Sequence, residues 1–169
     1  MVSADISYSL LRESLSRFSR EPFVDETRRL FTAICDGDLD ALLGMTDEDF
    51  STIEVDPDDP THARVSHEWE PWFRRFFDVL AALGASTDTE VTSYQGIGTA
   101  ELGYSVIEFR QDIVGPFFIA SFDCVATIVW KPTEDGWKEA RWHCSVNDSR
   151  FMLPELDGHD LDRQQTAVA

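Results

Sequence analysis

Apolar residues recur at helical spacing through the first half of the chain and at alternate positions through the second. Ile6, Leu10, Leu11, Leu15 and Phe18 predict a helix over 3–18, with Ser3 as its N-cap and Asp5 in the first turn. Glu21-Pro22 breaks that pattern. Phe23, Thr27, Leu30, Phe31 and Ile34 then predict a second helix over 23–36, stopped at Asp36-Gly37. Asp38 caps a short third helix through Met45 that buries Leu39, Leu42 and Leu43. Phe50, Ile53 and Val55 predict a strand closed by Asp56-Pro57, and PDDPT at 57–61 is a loop. The longest helix is predicted over 66–84, with Trp69, Trp72, Phe73, Phe76, Phe77, Leu80 and Leu83 on one face. Pro71 belongs in its first turn, where no hydrogen bond is lost, and Gly84 is its C-cap.

From about residue 87 the period changes to two. TEVTSYQGI, LGYSVIEFRQDIV, FFIASFDCVATIVWK and GWKEARWHCSV are four predicted strands, and PTEDG at 132–136 is a hairpin turn. Helices first and a meander after them define an α+β fold, with helices on one face of a curved antiparallel β-sheet. The division expected is an N-terminal helical extension at 1–22, a main domain at 23–148 and an acidic tail at 149–169. Phe151, Met152 and Leu153 give that tail one apolar patch, suited to a frayed end or a docking arm.

The 169 residues suit one domain, large enough to bury a core without a metal or disulfide staple. The formal charge of −18 repels phosphate backbones and anionic lipid, so neither nucleic acid nor membrane is an expected partner. The start of the chain lacks a basic segment followed by an apolar one, and no stretch approaches the ~18 apolar residues of a membrane span. Cys35, Cys124 and Cys144 are an odd set with no C-x-x-C, which points to reduced thiols and a cytoplasmic location. His62 and His67-Glu68 come nearest to a metal cluster, but the spacing fits solvated surface, and no metal or other cofactor is expected. Gly96-Ile97-Gly98 lacks the third glycine and the following helix of a dinucleotide fingerprint.

The last two strands each have two faces. Phe122, Cys124, Ala126, Ile128 and Trp130 share one with Trp142, Cys144 and Val146. Asp123, Val125, Thr127 and Val129 share the other with Arg141, His143 and Ser145. A short turn at 133–135 pairs Cys124 with Cys144 and Ala126 with Trp142. That register sets Val125 opposite His143, with Asp123 on the diagonal, ~7–8 Å away. Asp123, Arg141 and His143 then share a face that fits a wet pocket, a subunit interface or a salt-bridged surface. Cys124 and Cys144, on the apolar face, read as buried, inert thiols.

Gly37-Asp38-Leu39-Asp40 followed by a strand and Asp56-Pro57 resembles a stretch of the ketosteroid isomerases. Asp135-Gly136-Trp137-Lys138 and Trp142-His143-Cys144-Ser145-Val146 resemble the ending of SnoaL-like proteins. With the element order, these motifs resemble the nuclear-transport-factor-2-like superfamily over residues 24–148. The resemblance implies a cone, in which a bent sheet wraps the long helix around a pocket, and a homodimer built on the outer sheet face. It also implies cofactor-independent chemistry: Asp56 at the position of the general base, Asp123 near that of a second, protonated acid, and His143 near a pocket-lining aromatic. This points to the Asp123–His143 face as the pocket face. The family's oxyanion-hole tyrosine falls at Leu30, which cannot donate a proton, and the Asp56 segment carries two extra residues. Both departures count against steroid isomerisation. They leave Asp123 and His143 as the acid–base pair of a dehydratase-like or cyclase-like site.

Trp69, Trp72 and Phe73 are expected at the pocket wall, Arg141 beside the ligand, and Tyr104 as a substitute oxyanion donor. Three readings follow. One is a lyase, isomerase or cyclase acting on a small hydrophobic carbonyl compound. The others are a non-catalytic pocket for such a molecule and a homodimeric assembly module whose cone is filled by its Trp and Phe side chains.

Overall fold

A computed structural model describes residues 7–55 and 63–153 of the chain. Helix α1 spans Ser7–Ser16, α2 Val24–Asp36, α3 Leu39–Met45 and α4 Trp69–Leu83. The strands are β1 (Thr46–Val55), β2 (Ala63–Ser66), β3 (Ser86–Gly98), β4 (Gly103–Gly115), β5 (Phe118–Thr133) and β6 (Gly136–Met152). They form one curved sheet in the order β2-β1-β6-β5-β4-β3, so the architecture is α+β.

The local signals act where the sequence places them. Gly37 ends α2 at φ 66°, its N–H donating to Ile34 O at 3.2 Å, and Asp38 N donates to Ala33 O at 2.9 Å. The Asp38 carboxylate then accepts from Ala41 N at 3.0 Å and starts α3. Only Leu42 of the three expected α3 leucines is fully buried. Gly84 closes α4 at φ 59°, and Pro71 lies in the first turn of that helix.

Four expectations need correction. The sheet is mixed, because β1 pairs β6 in parallel through Ser51↔Arg141, Thr52↔Trp142 and Ile53↔His143. Strand β2 was hidden beside a polar, proline-bearing segment; it pairs antiparallel with β1, Thr52 opposite Ser66. Strand β6 continues through Met152, so residues 149–152 of the expected tail are sheet paired with the start of β5. The sheet also curls around α2, which buries Val24, Thr27, Leu30, Phe31, Ala33 and Ile34. The longer α4 buries only Leu80 and leaves Val79 and Leu83 half-exposed. The proposed N-cap Ser3 lies outside the described residues.

The free edge of β3 would invite pairing with another chain, and α1 covers it. Val91 N donates to Ser14 Oγ at 3.1 Å, and Arg17 Nη2 donates to Val91 O at 2.8 Å. Further along, Gly96 N donates to Glu21 Oε2 at 3.2 Å. The backbone of Pro22 crosses so near Gly96 that a Cβ there would collide with it.

One end of the concave face is packed solid. Phe23 enters α2 with φ 65°, rare for a bulky residue, and its ring lies over Gly98 and Gly103, where no side chain intervenes. That ring stacks on Trp130 at 5.8 Å and meets Trp137 edge-on at 5.0 Å. Trp130 is 1 % exposed and donates its indole N–H to Ser105 Oγ at 2.9 Å, so its polar atom is satisfied inside the core. Nearby, Thr27 Oγ1 and Tyr94 OH lie 3.1 Å apart, and the Tyr94 hydroxyl donates to Pro22 O at 2.9 Å.

Candidate functional site

The other end of the concave face is open. A cavity of about 490 Å³ lies between α2, α4 and the sheet, within the usual range for small-molecule sites. Helix α2 contributes Phe31 and Ile34, and α4 contributes Trp69, Trp72, Phe73 and Phe76. The sheet contributes Thr52 and Ile53 of β1, Phe109, Gln111 and Ile113 of β4, Phe122 and Cys124 of β5, and Trp142, Cys144 and Val146 of β6.

Edge-to-face contacts fix the aromatic walls. Phe31 meets Phe109 at 4.9 Å and Trp142 at 6.2 Å, and Trp69 meets Phe50 at 5.0 Å. Trp72 stacks on Phe76 at 5.4 Å and is 52 % exposed, so one side of the cavity opens toward solvent past α4. Among the described residues, the polar side chains in the wall are Thr52, Gln111 and the two thiols. Gln111 is pinned: its carbonyl accepts from Thr89 Oγ1 at 2.8 Å and its amide donates to Asp88 O at 2.8 Å. It presents a fixed dipole rather than a proton-transfer group.

The Cys124 thiol donates to Phe122 O at 3.7 Å and interacts electrostatically with the neighbouring Cys144. Cys144 lowers the pKa of the Cys124 thiol, while Cys124 together with burial raises the pKa of Cys144. Cys35, on α2, has its pKa raised by burial. All three are free thiols.

The expected site residues divide between two faces. Trp69, Trp72 and Phe73 line the cavity. Asp123, Arg141, His143 and Tyr104 lie on the opposite, convex face. The expected hairpin register is corrected by two residues: Ala126 pairs Cys144, Ile128 pairs Trp142 and Thr127 pairs His143. Two bulges, near Asp123 and Val129, absorb residues that a simple count from the turn cannot assign. Asp123 therefore faces Asp148, and four residues of β5, ~13 Å, separate it from the residue opposite His143.

The partners on the convex face differ accordingly. Asp123 pairs with Arg110 at 3.0 Å and Arg150 at 3.5 Å, not with His143 or Arg141. Arg141 Nη1 donates to the backbone carbonyls of Asp49 at 2.8 Å and Ala140 at 2.6 Å. His143 is exposed, with Nε2 3.3 Å from Ser145 Oγ. Tyr104 is 39 % exposed beside Val129. The convex face is thus not the cavity face; the two-residue period of the strands sends it outward. Asp56 and His62 lie outside the described residues.

The face split read from the sequence already held the cavity's sheet wall, since Phe122, Cys124, Trp142, Cys144 and Val146 are its apolar positions. The chemistry-bearing residues of the other face drew attention away from it. Among the described residues, no group of three or more His, Cys, Asp or Glu is placed to hold a metal ion. No described helix is long and apolar enough to cross a membrane.

Among the described residues, two buried carboxyl oxygens lack a partner, Oδ1 of Asp112 and Oε1 of Glu139. Glu139 is 2 % exposed, paired across the sheet with Trp130 and Thr46, and burial pushes its pKa up to about 8. It lies in the packed half and is absent from the cavity wall.

The fold is that of NTF2-like proteins. A protein assigned as an aromatic ring hydroxylase from Novosphingobium aromaticivorans superposes with a TM-score of 0.57 at 17% identity, covering 83% of this chain and 93% of its own. A protein assigned as a scytalone dehydratase from the same organism gives a TM-score of 0.57 at 8% identity, covering 73% and 83%. One assigned as an NTF2-like dehydratase from Streptomyces avermitilis gives 0.54 at 19% identity, covering 71% and 89%. No family model and no curated protein matches the chain.

Proposed function

We propose that the chain binds a small, mostly apolar carbonyl compound with aromatic or polycyclic character in the cavity between α2, α4 and the sheet. The observation that carries this reading is the cavity itself: about 490 Å³, walled by aromatic rings, with few polar side chains. Transferring a flat apolar ligand from water into such walls gains roughly 25 cal/mol per Å² buried. The Gln111 amide and the Thr52 hydroxyl supply orientation more than chemistry. A cone packed shut by its aromatics would have favoured an assembly module; the open volume speaks against that.

A catalytic extension of this reading is cofactor-independent acid–base chemistry of the isomerase or dehydratase class, with Asp56 as the base. Its support is that Thr52 and Ile53 of β1 line the cavity and Asp56 follows that strand in sequence. Neighbouring folds assigned as dehydratases fit the same class. A homodimer built on the convex face and a reducing, cytoplasmic setting for the free thiols complete the proposal. Light scattering tests the dimer.

The test is a thermal-shift screen with aromatic and polycyclic ketones. A ligand at ~100 times its dissociation constant adds ~2.7 kcal/mol of stability. Val146→Trp, at the wall, is expected to remove the shift, whereas His143→Ala on the convex face keeps it. A shift retained in Val146→Trp overturns the cavity reading. Turnover of a bound ketone that Asp56→Asn lowers at least 100-fold supports the catalytic extension, and unchanged turnover overturns it.

A further inference from the structure

The two cavity thiols are a pair placed by the sheet. Cys124 of β5 is opposite Val146, and Cys144 of β6 is opposite Ala126, so the cysteines are diagonal neighbours on the concave face. Both line the cavity, and each thiol shifts the pKa of the other. Diagonal neighbours lie ~7–8 Å apart between Cα atoms, beyond the ~4.4–6.8 Å that a disulfide accommodates without backbone movement. The side chains nevertheless reach one another, so one atom inserted between the sulfurs spans them more easily than a direct S–S bond. The surrounding wall decides what that atom can be. Phe122, Phe109 and Trp142 enclose the pair, and an apolar enclosure penalises a net charge. A soft centre that leaves a neutral bis-thiolate therefore fits better than a monovalent cation, whose bis-thiolate carries a negative charge. Zinc is disfavoured on another ground, because it needs four donors.

We propose that Cys124 and Cys144 form a dithiol site in the cavity wall for an apolar ligand bearing a soft, thiophilic, trivalent centre, of which an aryl arsenical is the simplest member. The site rests on the cavity reading above and adds a covalent anchor to it. The exchange balances without an oxidant. Each thiol sulfur forms a bond to arsenic, both thiol protons pass to the oxide oxygen, and that oxygen leaves as water. Arsenic stays trivalent and both sulfurs stay reduced. The aryl ring then lies among the aromatic walls. The neighbouring Cys144 lowers the pKa of the Cys124 thiol, which makes it the first sulfur to attack.

The probe is phenylarsine oxide, added to full-length protein in excess monothiol, which displaces single-thiol adducts. Intact mass is expected to show one phenylarsenic unit gained and two hydrogens lost, with two of the three thiols consumed. Cys35→Ser is expected to keep the adduct. Cys124→Ser and Cys144→Ser are each expected to weaken it at least 100-fold, and Cys124→Ala repeats the test without a new hydroxyl. Circular dichroism checks that each variant is folded. A methyl arsenical is expected to bind at least tenfold more weakly than the phenyl compound. An adduct that survives in folded Cys124→Ala or Cys144→Ser overturns the proposal, as does the lack of a monothiol-resistant adduct in wild type. A sulfur-indifferent ketone that still shifts the melting temperature would then show that the cavity reading stands while the dithiol site fails.

Discussion

The two ends of the concave face use the same residue types and reach opposite results. At one end Phe23, Trp130 and Trp137 fill the space above the sheet. At the other Phe31, Phe109, Phe122 and Trp142 only surround a space. The difference lies in what covers them. Phe23 is pressed onto the sheet because Gly98 and Gly103 leave room for its ring and α2 holds it there. Over the open end sits α4, which buries only Leu80 and sets Trp69, Trp72 and Phe73 as a wall instead of a plug. Aromatic content therefore does not distinguish a core from a binding site; the seating of the covering helix does.

The comparison breaks most readily at the packed end. Trp130→Ala is expected to cost ~3–5 kcal/mol in chemical denaturation, since it removes a fully buried indole and orphans Ser105 Oγ. A loss below ~1 kcal/mol would mean that this end is no better packed than the other.

Glu139 sharpens the contrast by pH. Its carboxyl titrates at about 8 in the fold against an ordinary 4.5, because burial disfavours the charge. The native state holds a proton that the unfolded chain releases between those values, so stability falls as pH rises from about 4.5 to about 8. Glu139→Gln removes the titration. It is expected to raise stability by roughly 4 kcal/mol at about pH 8 and by almost nothing at about pH 4. Urea melts of both proteins across that range check it, and a gain independent of pH would contradict it.

Truncation at the open end is expected to cost less. Phe122 is half-buried and already faces the cavity, so Phe122→Ala should lose about 1–2 kcal/mol while enlarging the site. A loss equal to that of Trp130→Ala would mean that the cavity closes in solution. The smallest effects belong to the convex face. Asp123→Ala removes solvent-screened ion pairs to Arg110 and Arg150, and His143→Ala removes an exposed ring. Each is expected within ~0.5 kcal/mol of wild type with ligand shifts unchanged. Loss of a ligand shift in either would place the site on the wrong face.

Much of the fold was legible. The helix stops at Gly37 and Gly84, the cap at Asp38, the turn at 132–136 and the two faces of β5 and β6 all follow from local chemistry and periodicity. The site was legible only in halves. Trp69, Trp72 and Phe73 were read from their helical stripe. Cys124 and Cys144 were read as apolar-face residues but not as part of a wall.

The rest was not local. A tight turn closed by Thr133 and Gly136 and a bulge near Val129 put Thr127 instead of Val125 opposite His143, which separates His143 from Asp123. The parallel pairing of β1 with β6 joins segments some ninety residues apart, which no periodicity announces. By itself the sequence determined which positions on each strand are apolar, and where α2 and α4 stop, because those depend on neighbours a few residues away. Only the tertiary structure decided that α2 fills the cone while α4 merely walls it. It alone placed the cavity on the thiol face, because the seating of a helix on a curved sheet depends on contacts between elements far apart in the chain.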